Sequence, residues 1–259
     1  MTLKGRWALI TGASSGLGRD FAEILAEQGC NLVLTARRER RLNDLAERLR
    51  QPFGIEVKVI PADLSTLDAC EVLFDTTEKV GRPVDILINN AGFGTHAKFI
   101  ETEWSRVNQQ LQLNMVSLTR MTWLWGRQMA IRGEGWIMNV ASVNAYMSIP
   151  NYATYAAGKA YVHRFTTAIA EELKDQGVRV TSFCPGPTDT EFVDTAGHEL
   201  ARWQRQFLMP SKDVAAIGIR SMLSDSSSHI AGWSNNAIIA GLRLLPQRAI
   251  TLLAGRLMS

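Results

Sequence analysis

The chain is short of the residues that build metal centres and disulfide frameworks: its 259 residues include only three cysteines and four histidines. Cys30, Cys70 and Cys184 lie far apart with no C-x-x-C spacing. No zinc site or disulfide scaffold is therefore expected, and a reducing, cytoplasmic setting fits best. No apolar run approaches the roughly 20 residues that span a bilayer. Residues 1–7 lead almost directly into the first apolar strand, which leaves no room for a signal peptide. Charge of one sign is lacking too. The net charge is +3 and Lys and Arg are interspersed with Asp and Glu, so no basic face is present to displace counterions and no nucleic-acid partner is expected. Linkers, repeats and low-complexity stretches are absent, and one domain over residues 1–259 is the expectation. One region has no acid at all: none follows Asp225.

What is present is a regular alternation. Trp7–Thr11, Asn31–Thr35, Glu56–Ile60, Ile86–Asn89, Trp136–Val140 and Arg179–Cys184 are brief, β-branched or Leu-rich runs bounded by turn residues, the pattern of buried strands. Between them Gly16–Glu27, Arg38–Arg50, Leu67–Val80, Trp104–Arg132 and Tyr152–Gln176 carry apolar residues at helical spacing. Strand and helix in strict succession imply right-handed crossovers and a parallel sheet covered on both faces. The expected fold is thus α/β, a Rossmann-type doubly wound sheet in a single domain. Its core spans 5–232, and a helical tail follows over 233–259. The tail reads as two short apolar helices split by Pro246, with Arg243, Arg248 and Arg256 as its only charges and Ile250, Leu253 and Leu257 on one face. Docking on the domain's own core or on a sister subunit is favoured over peripheral membrane contact, because so few cations accompany the apolar face.

Directly after the first strand, Thr11-Gly12-Ala13-Ser14-Ser15-Gly16-Leu17-Gly18 opens the first helix. Glycines there let the backbone approach a pyrophosphate, and the free amides of the helix N-terminus supply donors. The same residues spell G-x-S-x-G around Ser14, the form of a hydrolase nucleophile elbow. Against that reading, no sheet precedes the motif to carry an oxyanion loop, and none of His96, His163, His198 and His229 sits in an evident catalytic loop. At the end of the second strand Ala36 stands where an acid would hold the ribose hydroxyls of NAD, and Arg37 and Arg38 follow. A missing carboxylate and a planar guanidinium both favour a 2′-phosphate, so the expected cofactor is NADP(H).

Tyr155 and Lys159 stand four apart in a helix and share a face. A free phenol is a poor proton donor near neutrality. An adjacent ammonium and an oxidised nicotinamide ring would both stabilise phenolate, making Tyr155 the expected acid or base toward a carbonyl or alcohol oxygen. Ser142, just past the strand Trp136–Val140, lies where such folds place their ligands and can hydrogen-bond the same oxygen.

Taken with the Asn89-Asn90-Ala91-Gly92 turn, Asn114 in a long helix, Tyr155-Ala156-Ala157-Gly158-Lys159 and Pro185-Gly186, these motifs resemble the short-chain dehydrogenase/reductase family over about residues 5–225. The resemblance implies a Ser142, Tyr155, Lys159 and Asn114 tetrad, with Asn114 holding a water that passes protons to Lys159. It implies that Asp63 and Leu64 contact the adenine, that Asn90, Ala91 and Gly92 line the cofactor with Lys159, and that Pro185, Gly186 and Thr188 meet the nicotinamide end. Homo-oligomers, dimers or tetramers built on the long helices, are implied as well. Thr188 replaces a common Val, and the usual closing strand is replaced by Ile230-Ala231-Gly232-Trp233 and the two tail helices, which puts a tetramer built through that strand in doubt. A Pro-containing helical tail of this kind is expected in the branch that resembles steroid and long-chain ketoacyl reductases.

Phe93, Asn144, Met147, Ile149, Phe192 and the segment Thr188–Pro210, with Trp203 and Phe207, would form an apolar pocket and lid. They suit an apolar ketone, aldehyde or 3-ketoacyl compound. The rival outside enzymology is an NADP(H)-binding sensor or scaffold without turnover. An intact tetrad argues against it, since a pure binder has no chemical need of the tyrosine.

Overall fold

A computed structural model of the chain describes residues 2–78, 83–198 and 202–257, apart from the side chains of Leu67, Arg202, Trp203 and Leu257. The expected Val80 end of the third helix, the pocket role of Trp203 and the face assigned to Leu257 lie outside these described residues. Seven strands form one parallel sheet in the order β3-β2-β1-β4-β5-β6-β7. They are β1 (Trp7–Thr11), β2 (Asn31–Thr35), β3 (Val57–Val59), β4 (Ile86–Asn89), β5 (Gly135–Val140), β6 (Val178–Cys184) and β7 (Ser228–Ile230). The order reverses between β1 and β4, and the crevice beyond their C-terminal ends is where a doubly wound sheet takes ligands.

The strands bury both faces because neighbouring residues point to opposite sides. Ile10, Leu34, Ile88 and Met138 pack into one core layer and Leu9, Val33, Leu87 and Ile137 into the other. Helices α1 (Gly16–Glu27), α2 (Glu39–Phe53) and α9 (Ser211–Leu223) supply residues to the first layer, and α3 (Leu67–Glu78), α5 (Leu118–Arg132) and α6 (Ala153–Lys174) to the second. Phe21 and Phe183, fully buried and edge to face at 6.4 Å, show how closely α1 approaches the sheet. Burying each such ring contributes about 1.5–3 kcal/mol. A polar chain crosses the second layer: Asn89 Nδ2 donates to Asn139 Oδ1 (2.8 Å) and to Thr122 Oγ1 (3.1 Å), and Asn139 Nδ2 donates to Thr166 Oγ1 (3.0 Å). It ties α5 and α6 to the ends of β4 and β5 at the crevice, and buried networks of this kind fix one arrangement.

The structure departs from the sequence expectations in three places. The expected helix Trp104–Arg132 is α4 (Trp104–Leu111), a π-helical segment at Gln112–Ser117, then α5. Such wide turns occur mostly where a side chain is diverted to a functional site, and here the residue is Asn114. A seventh strand exists after all. Its three residues pair in parallel with β6, Phe183 opposite His229 and Cys184 opposite Ile230, and its serine-rich approach and small length hid it. Helix α2 runs one turn past Arg50 through Pro52 to Gly54, which closes it with φ 62; a proline in the last turn forfeits only one ladder bond.

After Gly232 the chain turns into α10 (Trp233–Leu242) and α11 (Gln247–Leu257). They dock on the domain itself: Ile239, Ile250 and Ala254 are buried, and Gln247 Nε2 donates to Ser148 Oγ at 2.9 Å. Trp233, Leu244, Leu252 and Leu253 stay exposed. Among the described residues no helix is long and apolar enough to cross a membrane.

Candidate active site

At the C-terminal end of β1, the buried Thr11 hydroxyl accepts from the amides of Asn90 (2.9 Å) and Ala91 (2.8 Å), while Asn90 Nδ2 donates to the Thr11 carbonyl (2.9 Å). The Asn90-Ala91-Gly92 turn is thereby stitched to the start of the glycine loop. Gly12 has φ +67, a conformation that favours glycine, and a Cβ at Gly18 would overlap the Gly12 carbonyl. Loop and α1 meet more closely than any side chain would allow. Ser15 begins α1 without capping it through its side chain, so the first-turn amides of α1 have no capping partner there and sit at the helix's positive end. This donor set fits a pyrophosphate.

Across Gly92 lie Asn114, Lys159, Tyr155 and Ser142. A Cβ on Gly92 would stand 3.0 Å from Asn114 Oδ1 and 3.8 Å from Lys159 Nζ. Asn114 is clamped to one backbone unit, its Oδ1 accepting from the Phe93 amide (3.2 Å) and its Nδ2 donating to the Phe93 carbonyl (2.8 Å). Lys159 is buried and donates to the Val140 carbonyl at 2.7 Å. Its ammonium is 5.7 Å from the centre of the Tyr155 ring. The Tyr155 ring packs against Tyr152 (6.0 Å) and Phe192 (5.3 Å). Ser142, buried just after β5, accepts from the Asn144 amide at 3.1 Å, keeping its own proton free to donate.

The electrostatics differ from the sequence expectation. Burial pushes the Tyr155 phenol well above its ordinary range; the Ser142 hydrogen bond opposes that shift, and neighbouring Tyr152 adds to it. Burial also pulls Lys159 down to about 8, with the nearby Cys184 acting the other way. The ammonium is turned to the Val140 carbonyl, and desolvation is the largest influence on both groups. The cluster is two buried groups, one proton-rich and one titrating near neutrality.

At the opposite end of the crevice, Arg37 is exposed and its charge reaches Asp63. Burial raises the Asp63 carboxyl, but the Ser65 amide and hydroxyl and Arg37 together bring it below its ordinary value. Leu64 is buried in the second core layer. Arg38 donates from Nε to Ser14 Oγ (3.1 Å) and from Nη2 to Ser15 Oγ (2.6 Å). A serine hydroxyl held by a guanidinium is no activated nucleophile, which sets the hydrolase reading of Ser14 aside. Sequence reasoning missed Glu191, which accepts from Arg38 and Arg41 and closes a cleft of about 700 Å³ along Ser14, Ser15 and Gly16. Nothing local in the sequence links positions 150 residues apart.

Pro185, Gly186 and Thr188 leave β6 toward the same crevice. The Pro185 carbonyl accepts from Val143, Thr188 Oγ1 donates to the Gly186 carbonyl, and Gly186 lies against Asn235 of α10. Of the expected pocket residues, Met147, Ile149 and Phe192 gather with Tyr152, Tyr155 and Ala254. Phe93 is buried beneath the Arg106 guanidinium, 4.0 Å from its ring centre, and Asn144 follows Ser142. Phe207 is exposed. The tail therefore joins this cluster, through Ala254 of α11. A further element is aromatic: Tyr152 Oη meets His198 Nδ1 at 3.0 Å, with His96 stacked on His198 at 4.3 Å.

Residues 6–201 match the family described as short chain dehydrogenase. A 7β-hydroxysteroid dehydrogenase from Collinsella aerofaciens is 34% identical over 186 residues, covering 72% of this chain and 70% of that protein. Among solved structures, a short-chain dehydrogenase from Sphingobium yanoikuyae in complex with NADPH superposes with a TM-score of 0.82 at 28% identity, covering 92% and 93% of the two chains. A short chain dehydrogenase/reductase from Burkholderia phymatum in complex with NAD superposes with a TM-score of 0.83 at 26% identity, covering 94% of each.

Proposed function

The chain belongs to the short-chain dehydrogenase family and is an oxidoreductase that passes a hydride between a nicotinamide dinucleotide and a carbonyl or alcohol; within that chemistry we propose that it uses NADP(H), with Ser142, Tyr155, Lys159 and Asn114 as its proton-handling set. The observation that carries this reading is the contiguity of the glycine loop, the Asn90–Gly92 turn and the buried Lys159 and Tyr155. A bound nicotinamide would supply or take the hydride and, when oxidised, place positive charge beside the phenol.

In reduction Tyr155 gives its proton to the carbonyl oxygen, and Ser142 donates a hydrogen bond to the same oxygen as negative charge develops there. Lys159, titrating near 8, is suited to receive a proton from solvent and pass it toward the phenol. Asn114, fixed by Phe93, would hold the relay water. Oxidation runs the same transfers backwards. The pocket walls from Met147, Ile149, Phe192 and Ala254 support an apolar ketone, aldehyde or 3-ketoacyl compound as substrate. The test is a panel of apolar ketones, aldehydes and ketoacyl thioesters with NADPH, followed by loss of the reduced nicotinamide's absorbance; turnover of none of them would refute the substrate class.

The NADP(H) preference rests on Arg37 and Arg38 beside the non-acidic Ala36, and the NADPH complex of the Sphingobium relative supports it. Each arginine offers charge-assisted bonds worth about 1.5–3 kcal/mol. Arg37→Ala or Arg38→Ala is expected to weaken NADPH use roughly ten- to a hundredfold and to leave NADH use little changed. A variant whose kcat/KM ratio for NADPH over NADH equals the parent's removes that arginine from the role.

The core at 5–232 with its tail at 233–259 is read as one cofactor-binding domain, and its three buried, unbridged cysteines as suited to the cytoplasm. Trp104 and Trp123, exposed on α4 and α5, are read as the face of a homo-oligomer. Light scattering should find a dimer or tetramer, and a monomer at micromolar concentration would refute this.

A further inference from the structure

Glu191 reaches across the adenosine end of the crevice and accepts three hydrogen bonds from two arginines: Arg38 Nη1 to Oε2 (2.8 Å), and Arg41 Nη1 to Oε1 (2.7 Å) and Oε2 (3.0 Å). The other two nitrogens of Arg38, Nε and Nη2, donate to Ser14 and Ser15. All three side-chain nitrogens of Arg38 are thus engaged, on Ser14, Ser15 and Glu191, beside the loop that the cofactor reading gives to the phosphates. Cations crowd the start of α2 (Arg38, Arg40, Arg41), where the helix end disfavours them, so an anion there relieves a standing repulsion. The anion found there is the Glu191 carboxylate, held below its ordinary pKa first by Arg38 and then by Arg41. Its neighbours on the chain reach further: Thr190 lies 3.1 Å from where a Cβ of Gly16 would stand, and Phe192 packs on the Tyr155 ring.

We propose that Glu191 is an internal competitor for the cofactor's 2′-phosphate, occupying Arg38 and Arg41 when no cofactor is bound and giving them up when the phosphate arrives. The inference rests on the NADP(H) reading above. A dianion with three acceptor oxygens draws more from two guanidiniums than one carboxylate does. Both ion pairs are nearly half exposed, so Glu191 is displaced without great resistance. The consequence is a specificity setting: Glu191 lowers affinity for the phosphorylated cofactor and lends nothing to the unphosphorylated one.

The test uses the full chain and calorimetric titration with adenosine 2′,5′-bisphosphate and with AMP, which differ only in the 2′-phosphate. The parent is expected to bind the bisphosphate more tightly, and Glu191→Gln to raise the bisphosphate-to-AMP affinity ratio about three- to tenfold, as two exposed ion pairs allow, with a smaller effect at high salt. Asp194→Asn removes the same charge from the same cleft without touching either arginine, and should move the ratio much less. A parent preference that Glu191→Gln leaves unchanged or lowers overturns the competition alone. An equal rise from Asp194→Asn also overturns it, since the general field would then suffice. A parent with no preference, unaltered by Arg38→Ala, overturns the NADP(H) reading and the competition with it.

Discussion

Tyr155→Phe is expected to lower kcat for carbonyl reduction by about a hundred- to ten-thousandfold, the span that a positioned proton donor contributes, while NADPH binds the variant nearly as well as the parent. The ring is held by packing against Phe192 and Tyr152, which phenylalanine reproduces. Only the hydroxyl goes, and with it the proton beside the substrate oxygen. A buried phenol raised above its ordinary range keeps its proton at every physiological pH, so in the reduction direction the loss should be nearly independent of pH. Fluorescence titration of NADPH and single-turnover rates check the two halves separately. Equal turnover in variant and parent would remove Tyr155 from the chemistry; loss of NADPH binding would make its role structural.

Lys159→Met separates catalysis from stability. The buried ammonium is depressed from 10.5 to about 8, so the unfolded chain binds more protons than the folded one between those values, and parent stability rises with pH across that window. At neutral pH the depression costs the fold roughly 3 kcal/mol. Methionine removes that cost but strips the Val140 carbonyl of its donor, which returns about 1–3 kcal/mol. At pH 7 the variant should therefore be at least as stable as the parent. From pH 8 to about 10.5 the difference should move by roughly 3 kcal/mol in the parent's favour, while reduction falls a hundredfold or more at all pH values. Denaturant melts of both proteins at pH 7 and pH 10 check this. A gap that does not change with pH would show that Lys159 is not depressed in the folded state.

Much of the fold was legible because its signals are local. Buried parallel strands read as short apolar runs, and six of the seven are found within a residue or so of where the pattern put them. The glycine loop, Ser142 and the Tyr155–Lys159 spacing are equally local, since one turn of helix brings the last two over one face. What escaped depends on distance along the chain or on competition between bonds. Nothing near Ser228 marks a strand, because β7 is made by the edge of β6. The π-helical turn at Gln112–Ser117 also escaped, because the Asn114 side chain within it bonds the distant Phe93 backbone and no periodicity registers a widened turn. The upward shift of the Tyr155 phenol escaped for another reason: spacing shows that an ammonium is close, but how dry the site is follows only from the packing of Phe192, Tyr152 and Ala254.

That last contact bears on how the molecule comes into being. Ala254 joins the cluster around Tyr155 from the far end of the chain, whereas the glycine loop and its Asn90 partner are complete within the first hundred residues. Because a single domain folds as a unit, the cluster beside the Tyr155 phenol is complete only when the final helix has docked. A chain clipped before α11 would keep every residue of the glycine loop and the Asn90 turn and lose the Ala254 contact beside Tyr155.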